Sequence, residues 1–286
     1  MKKILLASTM LVGTAGFAAA DVSFSGSAGV GVTYNLTTTT LLPEAYTTLT
    51  AKMSTTTDGG LETGAYFTLS GAGRNVEKDP NDNEFGTYNS WGGGAWIGSS
   101  TVYLAGSWGK VTVAYDTNAD SNSTTPGDWD ITTTYTNTWG NFGLEAYGVI
   151  TGPGSTATTG GDLGLKVSYD FGNYGVYLGV GYDNSDADGN KVDILAGANA
   201  SISGFTASAD LKYDLGSATP LEWTVKAGYA TGPYSVSAWI DEDIDYGLEA
   251  GYDLGGGVGI NAGYARSSGA DSAASSIVYA GVKMSF

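Results

Sequence analysis

Apolar residues recur at every second position along most of this chain. From Val22 to Tyr34, one parity holds Val22, Phe24, Ala28, Val30, Val32 and Tyr34, and the other holds Ser23, Ser25, Ser27 and Thr33. A period of two is the mark of a β-strand with one apolar and one polar face. The pattern repeats over Ala45–Thr56, where Leu49, Ala51 and Met53 oppose Thr50, Lys52 and Ser54. It repeats again over Leu61–Gly71, where Ala65, Phe67 and Leu69 oppose Glu62, Thr68 and Ser70. It predicts further strands at Gly94–Ala105, Lys110–Tyr115, Asp130–Thr138, Phe142–Thr151, Asp162–Asp170, Asn173–Tyr182, Lys191–Ile202 and Phe205–Tyr213. Five more segments, at Leu221–Ala230, Pro233–Ile240, Tyr246–Asp253, Gly257–Ala265 and Ser275–Phe286, bring the count to sixteen.

The connections alternate in length. Polar segments such as 35–44, 73–93, Asp116–Trp129, Gly152–Gly161 and Asp183–Asn190 alternate with tight turns such as Trp139–Asn141, Phe171–Gly172 and Ser203–Gly204. Long loops at one end and short turns at the other are the habit of a transmembrane barrel. A soluble sandwich has no reason to segregate them. The fold class is therefore all-β: a 16-stranded antiparallel transmembrane β-barrel with short periplasmic turns and long extracellular loops.

Charge follows the same parity. Lys52, Lys110, Lys166, Lys212, Lys226 and Lys283, with Glu62, Glu145, Asp193, Asp210, Glu222 and Glu249, all fall opposite the apolar positions. A lysine or arginine facing lipid at mid-depth costs about 2–4 kcal/mol. A soluble sandwich would show the same parity, and it is the loop asymmetry, with the secretory start of the chain, that makes the charged face the lumen. Tyr169, Tyr174, Tyr182, Tyr213, Tyr252 and Tyr264 lie near strand ends on the apolar parity, as interfacial girdles do. Tyr66, Tyr147, Tyr177, Leu195, Trp239, Ile277 and Tyr279 break the rule by falling on the polar parity, and Gly94–Ala105 has no clear apolar face.

Composition removes several function classes. The chain has 45 Gly, 19 Tyr, no Cys and no His. Disulfides, Cys-ligated zinc, His metal sites and a Ser-His pair are all excluded. The one Ser-x-x-Lys, Ser107 to Lys110, sits in a short turn with no helix to present it, so no enzyme is expected. Mean hydropathy is -0.06, as strand alternation produces. The start Met1-Lys2-Lys3, the apolar run Ile4–Phe17 and Ala18-Ala19-Ala20 before Asp21 form a secretory signal peptide, residues 1–20. The barrel domain then occupies 21–286. Net charge is -17, which disfavours nucleic acid and favours cations.

The segment Gly106-Ser107-Trp108-Gly109-Lys110-Val111-Thr112-Val113, a turn and strand, runs into the acidic start Asp116-Thr117-Asn118-Ala119-Asp120 at the third long loop. Here the chain resembles the general-diffusion porins of the Gram-negative outer membrane, in particular their alphaproteobacterial branch. The resemblance implies a third loop, about 116–129, folded into the lumen as the constriction. It implies carboxylates at Asp116, Asp120, Asp128 and Asp130 facing basic wall residues, for which Lys52, Lys166 and Lys226 are the candidates. The family's basic wall is denser and contains Arg, so net cation preference is the expectation kept here. It also implies a homotrimer in outer-membrane lipid, with loop 73–93 reaching a neighbour. Strand Ser275–Phe286, alternating to a terminal Phe286, would be presented to the barrel assembly machinery.

Two other features carry weaker expectations. Asp241-Glu242-Asp243-Ile244-Asp245 could offer carboxylates to Ca²⁺ through Asp241, Asp243 and Asp245, although a solvated acidic loop is the plainer reading. Asn184–Gly189 starts like an EF-hand loop, but Leu195 stands where the bidentate Glu belongs. No other cofactor is expected. The alternative function is an adhesin or structural barrel with a plugged lumen.

Overall fold

In a closed sheet every strand bonds to two neighbours, so alternation alone decides which residues face in and which face out. The computed structural model describes residues 21–77, 87–89, 94–118, 128–152, 160–183, 191–217, 221–268 and 274–286. The expected signal segment 1–20, Asp120 and most of the expected loop 73–93 lie outside the described residues. The strands are β1 (Asp21–Asn35), β2 (Thr40–Thr56), β3 (Glu62–Glu77), β4 (Thr87–Asn89), β5 (Gly94–Gly106), β6 (Gly109–Asn118), β7 (Asp128–Trp139), β8 (Phe142–Gly152) and β9 (Gly160–Asp170). They continue as β10 (Tyr174–Asp183), β11 (Lys191–Ile202), β12 (Phe205–Leu215), β13 (Leu221–Thr231), β14 (Tyr234–Asp241), β15 (Tyr246–Gly255), β16 (Val258–Ser267) and β17 (Ser275–Ser285). Each barrel strand pairs antiparallel with the next, and β17 pairs with β1. The short β4 only extends the outer end of β3. Sixteen strands thus close a barrel, as the alternation predicts.

Several strand ends differ from the sequence expectation, mostly toward longer strands, although β3, β10, β14 and β16 each start one residue later than expected and β17 ends one residue earlier. The expected loop 35–44 is a four-residue turn. Asn35 Oδ1 accepts the amides of Thr37 and Thr38, both at 2.9 Å, and β2 resumes at Thr40. Pro43 is tolerated in β2 because the ladder to β3 begins only at Ala45, so its missing N–H takes no bond from that side. β3 runs on to Glu77, β6 runs on to Asn118 and β7 starts at Asp128. At the opposite end the turns are tight. Ser203 (φ 50°) and Gly204 (φ 86°) both adopt positive φ, the primed turn that matches strand twist.

The outward parity is apolar and exposed, as a lipid-facing surface must be. Phe24, Val30, Val102, Leu163, Leu178 and Leu248 are among its exposed side chains. Val102 and Leu104 give β5 the apolar face its sequence obscures, while Thr101 and Tyr103 are buried on the inner side. Ring pairs cluster at strand ends: Tyr169–Phe171, Phe205–Tyr229 and Tyr234–Tyr252 near the short turns, with centroids 4.7, 4.3 and 5.1 Å apart. Tyr246–Tyr264 lies at the loop end. Trp108 stacks on Tyr135, whose hydroxyl donates to the Trp108 carbonyl at 2.7 Å and braces the turn between β5 and β6.

The aromatic residues that break parity follow a rule of their own. Tyr147 lies across from Gly164, Tyr177 from Gly197, Trp239 from Gly247 and Tyr279 from Gly263. In each pair the ring lies over the glycine, in the space a Cβ there would need. Tyr46 over Gly29 and Tyr103 over Gly64 repeat the arrangement. The rings therefore lie flat on the inner wall instead of projecting across the lumen. Of the other exceptions, Ile277 packs with Tyr279, Tyr46 and Ala265. Leu195 covers Gly179.

We expect Gly197→Val to displace the Tyr177 ring and break its hydrogen bond to Asp210, lowering unfolding free energy by about 1–3 kcal/mol. Urea unfolding in lipid vesicles measures this. A midpoint equal to that of the unmodified protein would mean that the ring does not depend on the glycine.

Candidate pore lining and constriction

The inner wall divides into three levels along the strands. At the loop end, aspartates oppose one another across the ladder. Asp116 pairs in register with Asp130 between β6 and β7, Asp162 with Asp183 between β9 and β10, and Asp193 with Asp214 between β11 and β12. Asp128 pairs with Asn118 one step further out. Directly opposed like charges destabilise a sheet, so a ladder that repeats them carries a cost that packing does not explain. Some of it is offset locally. The Lys191 ammonium lies 3.8 Å from Asp214, and the Lys212 ammonium 3.9 Å from Asp193 and 3.6 Å from Glu222.

In the middle of the wall the charges are paired. Lys166 Nζ sits 2.8 Å from Glu145 Oε1, across the β8–β9 ladder. Tyr177 donates to Asp210 Oδ1 at 2.7 Å. Glu249 is a hub. Its Oε2 accepts from Tyr279 at 2.6 Å and from Asn261 at 3.4 Å, and its Oε1 lies 3.6 Å from Lys283 Nζ.

Near the short turns, Tyr103 organises a third group. Its hydroxyl donates to Glu62 Oε1 at 2.5 Å. Lys110 Nζ is 4.4 Å from its ring centroid and Lys52 Nζ is 5.3 Å away. Both are within cation–π range. Lys52 lies four residues from the turn-side end of β2, and Lys110 is the second residue of β6.

The structure therefore separates the residues that the sequence reading grouped. Asp116, Asp128 and Asp130 stand in the wall strands β6 and β7, at the loop end, with only 119–127 between those strands. Lys166 is tied to Glu145. Lys226 stands in β13 between Ser208 and Trp239. Lys52 lies at the other end of the wall. The sequence reading missed Asp162, Asp183 and Asp214, which mark strand ends on the inner parity, and it left Asp193 as one inner charge among many. Lys110 was on the correct face but unassigned, and the Tyr103 contact depends on register that sequence does not display.

The run Asp241–Asp245 forms a braced turn beyond Ile240, the last outward apolar residue of β14. Asp241 Oδ1 accepts the amides of Asp243 at 3.1 Å and Asp245 at 2.9 Å. Glu242 Oε2 accepts the Trp223 amide at 2.9 Å, and Asp245 Oδ1 accepts the Ser268 amide. Among the described residues no three His, Cys, Asp or Glu side chains are grouped to hold a metal ion. Ser107 sits in the β5–β6 turn, and the Lys110 ammonium lies over a ring.

A family model of Gram-negative porins matches residues 7–272. No curated protein matches the sequence. Solved structures similar to the fold include a triple mutant of the Rhodopseudomonas blastica porin, with TM-score 0.67 and 15% identity, covering 93% of this chain and 100% of that one. A porin refined at 1.8 Å gives TM-score 0.66 and 20% identity over the same shares. A loop-deletion mutant of OmpT, an outer membrane protein of Vibrio cholerae, gives 0.66 and 11%, covering 93% and 99%. At these identities the likeness is one of fold.

Glu249→Ala removes an acceptor shared by three groups and should lower unfolding free energy by about 1–3 kcal/mol. Glu249→Gln, which keeps an oxygen for Tyr279, should cost clearly less. Equal losses in urea titrations would show that packing, not hydrogen bonding, is what Glu249 supplies.

Proposed function

From the premise that the chain belongs to the Gram-negative porin family, we propose that its lumen conducts cations in preference to anions. Membership and fold make it a multi-pass β-barrel of the outer membrane and a passive diffusion channel. Porins of this kind are channels rather than enzymes. A barrel of about 16 strands is wide enough for an aqueous path, and acidic side chains ringing it favour cations. The observation that carries the preference is the repeated aspartate-on-aspartate register at the loop end. Such pairs raise the local cation concentration just where solutes enter.

Asp116, Asp120, Asp128 and Asp130 contribute to that acidic entrance in this reading, now joined by Asp162, Asp183, Asp193 and Asp214. Lys52, Lys166 and Lys226 are the proposed basic wall, with Lys166 muted by Glu145. The test is the reversal potential of purified protein in a planar bilayer under a KCl gradient. We expect a potential favouring K⁺, reduced by at least about half when Asp116, Asp130, Asp162 and Asp183 are replaced by Asn. An unselective open channel would remove the charge assignment and leave the pore. Absence of current from inserted protein would favour a plugged barrel.

We also propose a homotrimer. Porin homologues assemble as trimers in the outer membrane. On this chain Ala28, Thr47, Ala51, Thr63, Ala65 and Ala280 fall on the outward parity of four neighbouring strands, β17, β1, β2 and β3. Small residues let backbones approach closely. The outer-face ring pairs described above run instead from the β5–β6 turn round to β16. Unheated detergent electrophoresis should show a species of three chains, and Ala28→Trp with Ala65→Trp should convert it to one. A monomer in mild detergent, at native lipid content, would exclude the assembly. Strand β17, with Val278, Ala280, Val282 and Met284, and the adjoining Phe286 are the proposed contact for the assembly machinery.

A further inference from the structure

Charged pairs occupy much of the inner wall, but the turn-side half of strands β11 to β14 is built differently. Two rows of inner-parity residues cross it in register. One runs from Asn199 through Ser208 and Lys226 to Trp239, and ends at Gly247 on β15. The other, two residues nearer the short turns, runs through Ser201, Thr206, Gly228 and Ser237. A hollow of about 400 Å³ lies over these rows, within the range of small-molecule sites. Gly228 has no side chain and the Thr206 hydroxyl lies over it, so the floor there is backbone. Trp239 closes one side. It is half-buried, and its ring lies over Gly247 with one face left to the lumen. Asn199 closes the other side, its amide over Gly175 of β10.

The carboxylates around the hollow are engaged elsewhere. Asp210 takes the Tyr177 hydroxyl, and Asp241 takes two amides of its own turn. Glu249, in register with Ser237, takes Tyr279 and Asn261 and lies 3.6 Å from Lys283. Asp170, beyond Gly175, takes the Gly172 amide at 2.6 Å. Lys226 is the single charged group among the described residues that line the hollow. The rest of its polar lining is hydroxyl and carboxamide, groups that both donate and accept. The hydroxyls of a sugar do the same. The negative face of an aromatic ring attracts positively polarised edges, and the C–H face of a sugar ring offers one.

We propose that this shelf binds a neutral, hydroxyl-rich solute of hexose size, stacked on Trp239 and hydrogen-bonded to Asn199, Ser208 and Ser237. The inference rests on the diffusion-channel reading above for a wet lumen, and it adds which class of solute is retained in passage. A site on a passage must hold its solute firmly enough to collect it and weakly enough to release it. Half-saturation at about 1–10 mM satisfies both.

The test uses the full-length barrel in a detergent without sugar headgroups, with D-glucose as the probe. Saturation-transfer NMR reads binding whether or not the channel conducts. We expect saturable transfer to glucose, half-complete at about 1–10 mM. Trp239→Ala should weaken binding at least about fivefold, and Trp239→Phe, which keeps a stacking face, should recover most of that loss. Gly228→Val fills the hollow from its floor and should abolish transfer with Trp239 still in place. Ser208→Ala with Ser237→Ala, which removes two lumen hydroxyls and no packing, locates the site if either of those variants fails to fold. In planar bilayers the same glucose concentrations should lower single-channel current beyond the effect of viscosity. An open channel with no saturable transfer would overturn the shelf and leave the diffusion channel standing. Saturable transfer without current would keep the shelf and remove the channel. Binding unchanged in every variant would overturn the location. Tighter binding of glucose 6-phosphate than of glucose would overturn the neutral class and assign the shelf, through Lys226, to anions.

Discussion

In hydrocarbon no water is present to satisfy a backbone amide, and an unpaired one costs several kcal/mol. The closure of β17 on β1 follows from that constraint, and the rest of the molecule follows from the closure. Nine residues of each strand are in register at the seam, from Ser27 against Ser285 to Asn35 against Ile277. Beyond it the Leu36 amide reaches the Ser276 carbonyl at 2.7 Å. Once the edge is removed, side chains have only two destinations, lipid or lumen. Charge, hydrogen bonding and selectivity are all decided on the inner one.

That inner face is neither a core nor an ordinary surface. It is wet, so it holds carboxylates and lysines, and it is curved, so side chains converge. The rings of Tyr147, Tyr177 and Tyr279 show how convergence is managed. Each occupies the space above a glycine of the adjoining strand, and Tyr177 and Tyr279 each donate to a carboxylate of the wall. The wall is thus lined by aromatic plates with charged edges, and these rings do not reach across the lumen.

Strand number, antiparallel order and facing were legible in the sequence because lipid imposes a strict alternation on one side. Strand ends were less legible, for a related reason. In a soluble protein a run such as Asp116-Thr117-Asn118 ends a strand. Against a water-filled lumen polar residues are no stop signal, and β6 continues through them. The expected loop of ten residues between β1 and β2 failed in the same way, since threonines suit a strand as well as a turn. The candidate site was half legible. The acidic end could be read from position, but pairing of Lys166 with Glu145, or of Lys110 with Tyr103, is a property of register between segments far apart in the chain.

The ring-over-glycine arrangement has a consequence for how such a sequence can drift. Tyr177 and Gly197 are twenty positions apart, yet they fill one volume between them. A larger residue at 197 has no room while the ring is there, and a smaller one at 177 leaves the glycine backbone uncovered. The two positions are therefore constrained jointly, so that a change at one is best accommodated by a change at the other. In a barrel, which has no central core to record its packing, units of this kind on neighbouring strands hold the memory of register.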